Sequence, residues 1–191
     1  MKILYLTQSQ IPSRSANSIH VMSLANELVK YGNEVHVVSQ NNKTDIFKVK
    51  NIYKYYNVKK SNLLKVIICN LSTNGLLREA FYFIKVLFLL IKNKYDIIYS
   101  RNIYASYLLS LMGIKSMMEL HSPPQKYAKF FFKKALKNKS VKCIITISES
   151  LEKFIKKNFS LKEIPIKVIR DAANVFLVNN ISYLKKKFKI K

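Results

Sequence analysis

Apolar and polar positions alternate along this chain between two periods. KILYL, near the N-terminus, is an apolar run with strand character, and the polar segment QSQIPSRSANS after it holds turn formers. Ile19, Met22, Ala25, Leu28 and Val29 then recur at the spacing of one helix face. Gly32 follows the last of them, where a helix needs a residue that tolerates the left-handed conformation. EVHVVS returns to period two with β-branched residues. Strand, helix and strand in this order predict a right-handed βαβ unit with parallel strands.

The same alternation continues downstream. IFKVKNIYKYYNV reads as one or two edge strands around Ile52 and Tyr53, and SNLLKVIICNLSTNG fits either a strand or a buried helix. From Gly75, LLREAFYFIKVLFLLIKNKY predicts a helix that is apolar nearly all round. Arg78, Lys85 and Lys92 form its narrow polar stripe, and the reading favours burial against a sheet over a membrane-facing helix. DIIYS is a strand, followed by a helix with Ile103, Tyr104, Tyr107, Leu108, Leu111 and Met112 on its inner face and Gly113 at its end. KSMMEL is a strand stopped by HSPP, and residues 125–139 form a basic helix with Tyr127, Phe130, Phe131 and Leu136 as its apolar stripe. CIITIS has the continuous β-branched character of a strand covered on both faces. Ser148 caps the next helix, whose first turn carries Glu149 and Glu152 and whose face carries Leu151, Phe154, Ile155 and Phe159. IKVI is the last strand, and SYLKKKFKIK a charged tail. The fold class is therefore α/β, a doubly wound, mostly parallel, Rossmann-like sheet. One domain is expected over residues 1–178, with a basic tail over 179–191.

Composition changes this picture little. A chain of 191 residues suffices for one well-buried domain and is short for two. The formal charge is +24, yet only Arg14, Arg78, Arg101 and Arg170 are arginines among 34 basic residues. A lysine-rich composition of this kind arises from base composition as readily as from an anionic partner. The basic residues are scattered and no helix-turn-helix signature accompanies them, which argues against nucleic acid. Cys69 and Cys143 lie far apart in apolar runs and read as buried, reduced thiols of a cytosolic protein. No secretory signal is expected, and AFYFIKVLFLLI is shorter than the roughly 20 residues that span a bilayer.

In a doubly wound sheet, ligands bind at the carboxyl ends of the strands where strand order reverses. That rule selects Gln8 to Asn17, Ser100-Arg101-Asn102, His121-Ser122 and Ser148. His121 is the leading candidate, because it lies in such a loop beside Glu119 and imidazole suits proton traffic near neutral pH. His20 falls in the first turn of helix one, and His36 alternates along a strand as a structural residue. The histidines and cysteines show no metal-ligand spacing, so no metal is expected, and no serine has a nucleophile-elbow context.

RSANSIHVMSLANELVKYGNEVHVVS resembles the opening of glycosyltransferase family 4, enzymes built of two Rossmann-like domains in the GT-B arrangement. Asn33 stands where the family usually has His. YDIIYSRN, ELHSPP, CIITISESLEKFI and KVIRDAAN resemble further family segments in the same order. The resemblance implies the acceptor-side, N-terminal domain of a retaining glycosyltransferase, truncated before the domain that holds the nucleotide sugar through an Arg, a Lys and a pair of glutamates. It implies His121 as the catalytic-site residue that orients the acceptor hydroxyl or the transferring sugar. Ser15, Asn17, Ser18, His20, Arg101, Glu119 and Ser148 would line the acceptor cleft, Arg101 meeting an anionic ligand or pairing with Asp96 or Glu119. No tightly bound cofactor is implied. A UDP- or GDP-sugar would be the donor, held by a missing C-terminal domain or a separate subunit, and a glycan or lipid-linked molecule the acceptor. The location implied is cytoplasmic, at the inner face of an anionic membrane. The alternative is a non-catalytic, partner-dependent binding module on the same scaffold.

Overall fold

The computed structural model describes residues 1–42, 49–71, 75–161 and 163–170. Among these, seven strands form one sheet: β1 (Lys2–Gln10), β2 (Glu34–Asn42), β3 (Leu64–Leu71), β4 (Ile97–Ser100), β5 (Ser116–Leu120), β6 (Val141–Thr146) and β7 (Ile166–Val168). Their spatial order is β3-β2-β1-β4-β5-β6-β7, and every pairing is parallel. The helices between them are α1 (Ala16–Lys30), α2 (Ile52–Tyr55), α3 (Gly75–Lys92), α4 (Ile103–Leu111), α5 (Lys126–Lys137) and α6 (Glu149–Asn158). The sheet is Rossmann-like, as the pattern predicts.

The alternation of side chains along β1 builds two cores. Ile3 and Tyr5 join Val35, Val37 and the α1 residues Val21, Met22 and Ala25 on one face. Leu4 and Leu6 join Val38, Ile98 and the residues Tyr82, Val86, Ala105 and Leu109 of α3 and α4 on the other. A third cluster, with Met118, Phe132, Ile144 and Ile155 at its centre, covers β5 and β6. Gly32 and Gly113 take φ of +79° and +70° just past α1 and α4, where a side chain would be strained.

Helix orientation departs from the periodicity in a consistent way. On α4 the buried residues are Ala105, Ser106, Leu109 and Ser110, whereas Leu111 and Met112 are exposed. On α5, Phe132, Ala135 and Leu136 are buried, and Tyr127 and Phe130 face outward. Ile19 of α1 is also exposed. On α4 the small residues Ala105 and Ser106 share the buried face with Leu109, and the large Leu111 and Met112 fall outside it. On α3 the buried face is Glu79, Tyr82, Phe83 and Val86, which leaves Leu76, Phe81, Ile84, Phe88 and Ile91 exposed. Among the described residues, the helix is thus covered on one face only. Ile52 and Tyr53 belong to the short helix α2 and not to a strand, since the Asn51 side chain caps it by accepting from the Lys54 N–H at 3.1 Å. The third strand is supplied instead by the apolar run of SNLLKVIICNL. The expected domain limit at 178 and the basic tail lie outside the described residues.

Tyr82 fastens α3 to the strand ends. Its fully buried hydroxyl donates to the Val38 carbonyl at 2.9 Å and accepts from the Thr7 N–H at 3.1 Å. Tyr82→Phe leaves both backbone groups buried without a partner and should cost about 1–3 kcal/mol. Urea unfolding checks this: the midpoint should fall with an unchanged slope, and a wild-type midpoint would refute the assignment.

Candidate functional site

The chain passes from β1 outward to β2 and β3, then returns to lay β4 on the other side of β1. The carboxyl ends of β1 and β4 consequently diverge, and a crevice opens between the loops that follow them. Thr7, Gln8, Asn17, Arg101, Ile103, Glu119, Leu120, His121 and Ser122 line a cavity of about 160 Å³ at that point. Strands β1 and β5, the first turns of α1 and α4 and the loops after β4 and β5 all contribute to it.

Glu119 is its centre. It is buried, its side chain 3% exposed, at the end of β5. Its Oε1 is hydrogen-bonded to His121 Nε2 and lies 3.6 Å from Arg101 Nε and 3.8 Å from His20 Nε2. Its Oε2 is buried without a hydrogen-bond donor. Burial alone would push this carboxyl up. The His121 hydrogen bond, the Arg101 charge and the Tyr99 phenol outweigh it and hold the group below the ordinary carboxylate value. Tyr99 responds in the opposite direction: burial, then the Glu119 carboxylate beside it, push its phenol far up.

Arg101 is held from three sides. Its Nη2 donates to Asn17 Oδ1 at 2.5 Å, its Nη1 to the Tyr5 hydroxyl at 3.5 Å, and its own N–H to the Leu6 carbonyl at 2.8 Å. Its partner is Glu119 and not Asp96, whose Oδ2 accepts from the Lys2 N–H at 2.7 Å. The His20 and His121 rings meet edge to face, centroids 5.5 Å apart. The fold therefore brings Asn17, His20, Arg101, Glu119 and His121 together from three separate stretches of chain.

The serines are placed differently. Ser15 Oγ caps α1 by accepting from the Ser18 N–H at 3.2 Å, and Ser18 Oγ is turned back onto the Ser13 and Ser15 carbonyls, both at 2.9 Å. Ser148 caps α6 through the Leu151 N–H at 3.2 Å and is not among the cavity-lining residues. His36 lies away from the cavity, between Tyr95 and Glu34 at 2.8 and 2.9 Å, and burial lowers its pKa.

A neighbouring network escapes a linear reading. The buried Glu79 of α3 accepts from Gln8 Nε2 at 3.1 Å, Gln40 Nε2 at 3.2 Å and Asn102 Nδ2 at 2.8 Å. Three amides around one carboxylate fix the ends of β1 and β2 and the start of α4, and so the walls of the crevice. The one signal available was a single acid in a helix whose other charges are basic. His20, Glu119 and His121 are also the group that could hold a metal ion, their candidate ligand atoms all within 4.8 Å of one another. Spacing along the chain could not show this, because His20 comes from a different element.

Residues 18–174 match the sequence model of a family described as Glycosyltransferase Family 4. No curated protein matches the chain. Among solved structures, sucrose-phosphate synthase from Thermosynechococcus elongatus is similar at TM-score 0.65 and 14% identity, over 91% of this chain and 91% of that one. UGT89C1 from Arabidopsis thaliana, complexed with UDP, is similar at TM-score 0.54 and 11% identity, over 92% of this chain and 50% of that one. UDP-GlcNAc 2-epimerase from Methanocaldococcus jannaschii is similar at TM-score 0.57 and 14% identity, over 88% and 44%. The chain thus spans about half the length of the last two. At these identities the likeness concerns the fold.

Glu119→Gln keeps the side chain's shape and leaves the Arg101 guanidinium, 4% exposed, beside a neutral partner. At neutral pH it should cost about 3 kcal/mol, the scale of a broken buried ion pair. Because the folded-state pKa of Glu119 is depressed, this contribution is present above the unfolded value of 4.5 and is lost as pH falls through the folded value. Urea unfolding of both proteins across acidic pH should show the two stabilities converging. A difference that persists undiminished in acid would contradict the charge pairing.

Proposed function

The chain belongs to glycosyltransferase family 4, and from that premise we propose that it supplies the acceptor-side lobe of a retaining sugar transferase. The observation that carries this reading is the convergence of Arg101, Glu119, His121 and Asn17 on one small cavity at the point of strand reversal. Polar groups that converge in a cleft, with a carboxyl held ionised despite its burial, are what a reaction site requires.

In this reading His121 meets the acceptor. With Nε2 given to Glu119, the neutral ring is an acceptor at Nδ1 and can receive the hydrogen of a sugar or lipid hydroxyl. Glu119 fixes that tautomer, and Arg101, held by Asn17 and Tyr5, fixes Glu119. The donor is a UDP- or GDP-sugar gripped by a second, donor-binding lobe or a separate subunit. That second lobe stabilises the departing diphosphate, while this one positions the hydroxyl near the anomeric carbon.

The surface favours a lipid-linked acceptor at the inner face of a membrane over a free glycan. Exposed Leu76, Phe81, Ile84, Phe88 and Ile91 make an apolar stripe along α3, and α5 presents exposed Tyr127 and Phe130 with Lys126, Lys129, Lys133 and Lys134. Apolar side chains rimmed by lysines suit the headgroup region of an anionic bilayer. No helix is long and apolar enough to cross a membrane among the described residues.

Transfer is tested by combining the chain with a family donor-binding lobe and measuring sugar incorporation into polyprenyl or glycan acceptors. His121→Ala should lower kcat by about a hundredfold or more, with little change in donor KM. Unchanged turnover in that variant would remove His121 from the reaction. Flotation with phosphatidylglycerol vesicles tests the surface: binding at low salt, weakened by high salt and by Phe81→Ser with Phe88→Ser, is expected. Absence of binding to those vesicles would exclude the membrane reading.

A further inference from the structure

The geometry points to a site for a divalent first-row transition metal of the zinc class, formed by His20, Glu119 and His121 at the floor of the crevice. This goes beyond sugar transfer, which the reading above assigns to side chains alone, and it stands on the coordinates of these residues alone.

Two imidazoles and one carboxylate are a donor set that suits zinc and its neighbours, and nitrogen donors disfavour magnesium and calcium, which take oxygen. The candidate ligand atoms lie within 4.8 Å of one another, and His20 Nε2 is already 3.8 Å from Glu119 Oε1. Ligand bonds of about 2.0–2.2 Å place tetrahedral donors about 3.5 Å apart. Closing the widest gap therefore needs a movement of about 1.3 Å, and the hydrogen-bonded His121 Nε2 and Glu119 Oε1 must open to the same spacing. Both histidine side chains are half-buried, and His121 sits in the loop that follows β5. His121 Nε2 and Glu119 Oε1 are joined by a hydrogen bond. A metal would take the position between them. The His121 ring would then carry its proton on Nδ1, so metal binding and the proton-accepting role of that nitrogen belong to different states of the chain.

A second observation is independent of the donor set. Glu119 is almost completely buried, yet its Oε2 has no hydrogen-bond donor. A buried carboxylate with an unsatisfied oxygen is an acceptor that a cation can satisfy. Arg101 satisfies the carboxylate only in part. It spends Nη2 on Asn17 and turns Nη1 to Tyr5, so its approach to the carboxylate is through Nε at 3.6 Å, longer than a hydrogen bond. Both imidazoles and the guanidinium approach Oε1, which leaves Oε2 as a second oxygen of the carboxylate for a metal. With three protein donors the ion keeps an open position, which water or a substrate oxygen in the crevice would fill.

The test uses the full, tag-free chain, stripped of metal with a chelator and titrated with Co²⁺ and, by competition with a chromophoric chelator, with Zn²⁺. One ion per chain is expected, with Co²⁺ giving the intense visible absorption of four- or five-coordinate geometry. The chain has three histidines, which makes the controls complete. His20→Ala and His121→Ala should each weaken binding about tenfold or more, and His36→Gln should leave it unchanged. Zn²⁺ added to the unmodified protein should shift the NMR signals of the His20 and His121 imidazoles and not those of His36, a readout that needs no variant to fold. Absence of saturable binding, the weak absorption of six-coordinate aqueous Co²⁺, or an affinity indifferent to His20→Ala would each overturn the site. None of these measurements requires a sugar donor or turnover, so failure of transfer and failure of metal binding are separate results.

Discussion

A carboxylate cannot stay charged inside a protein unless cations or donors surround it, and Glu119 obliges this fold to provide them. Its side chain is almost wholly buried at the end of β5. Two histidines and an arginine meet its one oxygen Oε1, each from a different part of the chain. Desolvation works against the charge, and the Arg101 guanidinium with the hydrogen bonds at the carboxylate overcomes it. The position of His20, the orientation of His121 and the placement of Arg101 are thereby linked to a single atom. The crevice takes its shape from that link.

The sheet makes the link possible. With β1 between β2 and β4, the loops after β1 and β4 separate, and the loop after β5 lies beside them. The second buried acid, Glu79, holds this opening from the other face. Gln8, Gln40 and Asn102 reach it from β1, β2 and the start of α4. Tyr82, one helical turn along α3, ties the same helix to the backbone of Thr7 and Val38. Each acid thus has a distinct task. Glu79 fixes the walls through neutral amides, and Glu119 gathers two imidazoles and a guanidinium on the floor. The apolar stripe of α3 lies outside both and gives the domain a surface of a different chemical character.

Most of the architecture was legible in the sequence, and the reasons are local. Strand and helix order follow from the shift between periods of two and about 3.6, and Gly32 and Gly113 marked helix ends through backbone freedom that needs no tertiary information. The four loops at strand ends followed from the parallel order, and three of them line the crevice. Helix rotation was less legible. On α4, the small residues Ala105 and Ser106 lie on the buried face, which a search for large apolar residues overlooks. α2 was misread because its tyrosines favour strands in general, whereas Asn51 supplies a cap at that position. Within the site, His121 and Glu119 were visible as neighbours two residues apart. The pairing of Arg101 with Glu119 was one of the alternatives left open, and the meeting with His20 was not legible, since it joins residues about a hundred positions apart. Ser148 satisfied the rule for a strand-end loop, but its hydroxyl is consumed by α6.

The account is tested most directly by the imidazole NMR signals of the three histidines, compared between the unmodified chain and Glu119→Gln. If one carboxylate organises the crevice, neutralising it shifts the signals of both His20 and His121 and leaves His36, which is bonded to Glu34 and Tyr95, where it was. A change confined to His121, or one shared equally by all three rings, would contradict the convergence on which the account rests.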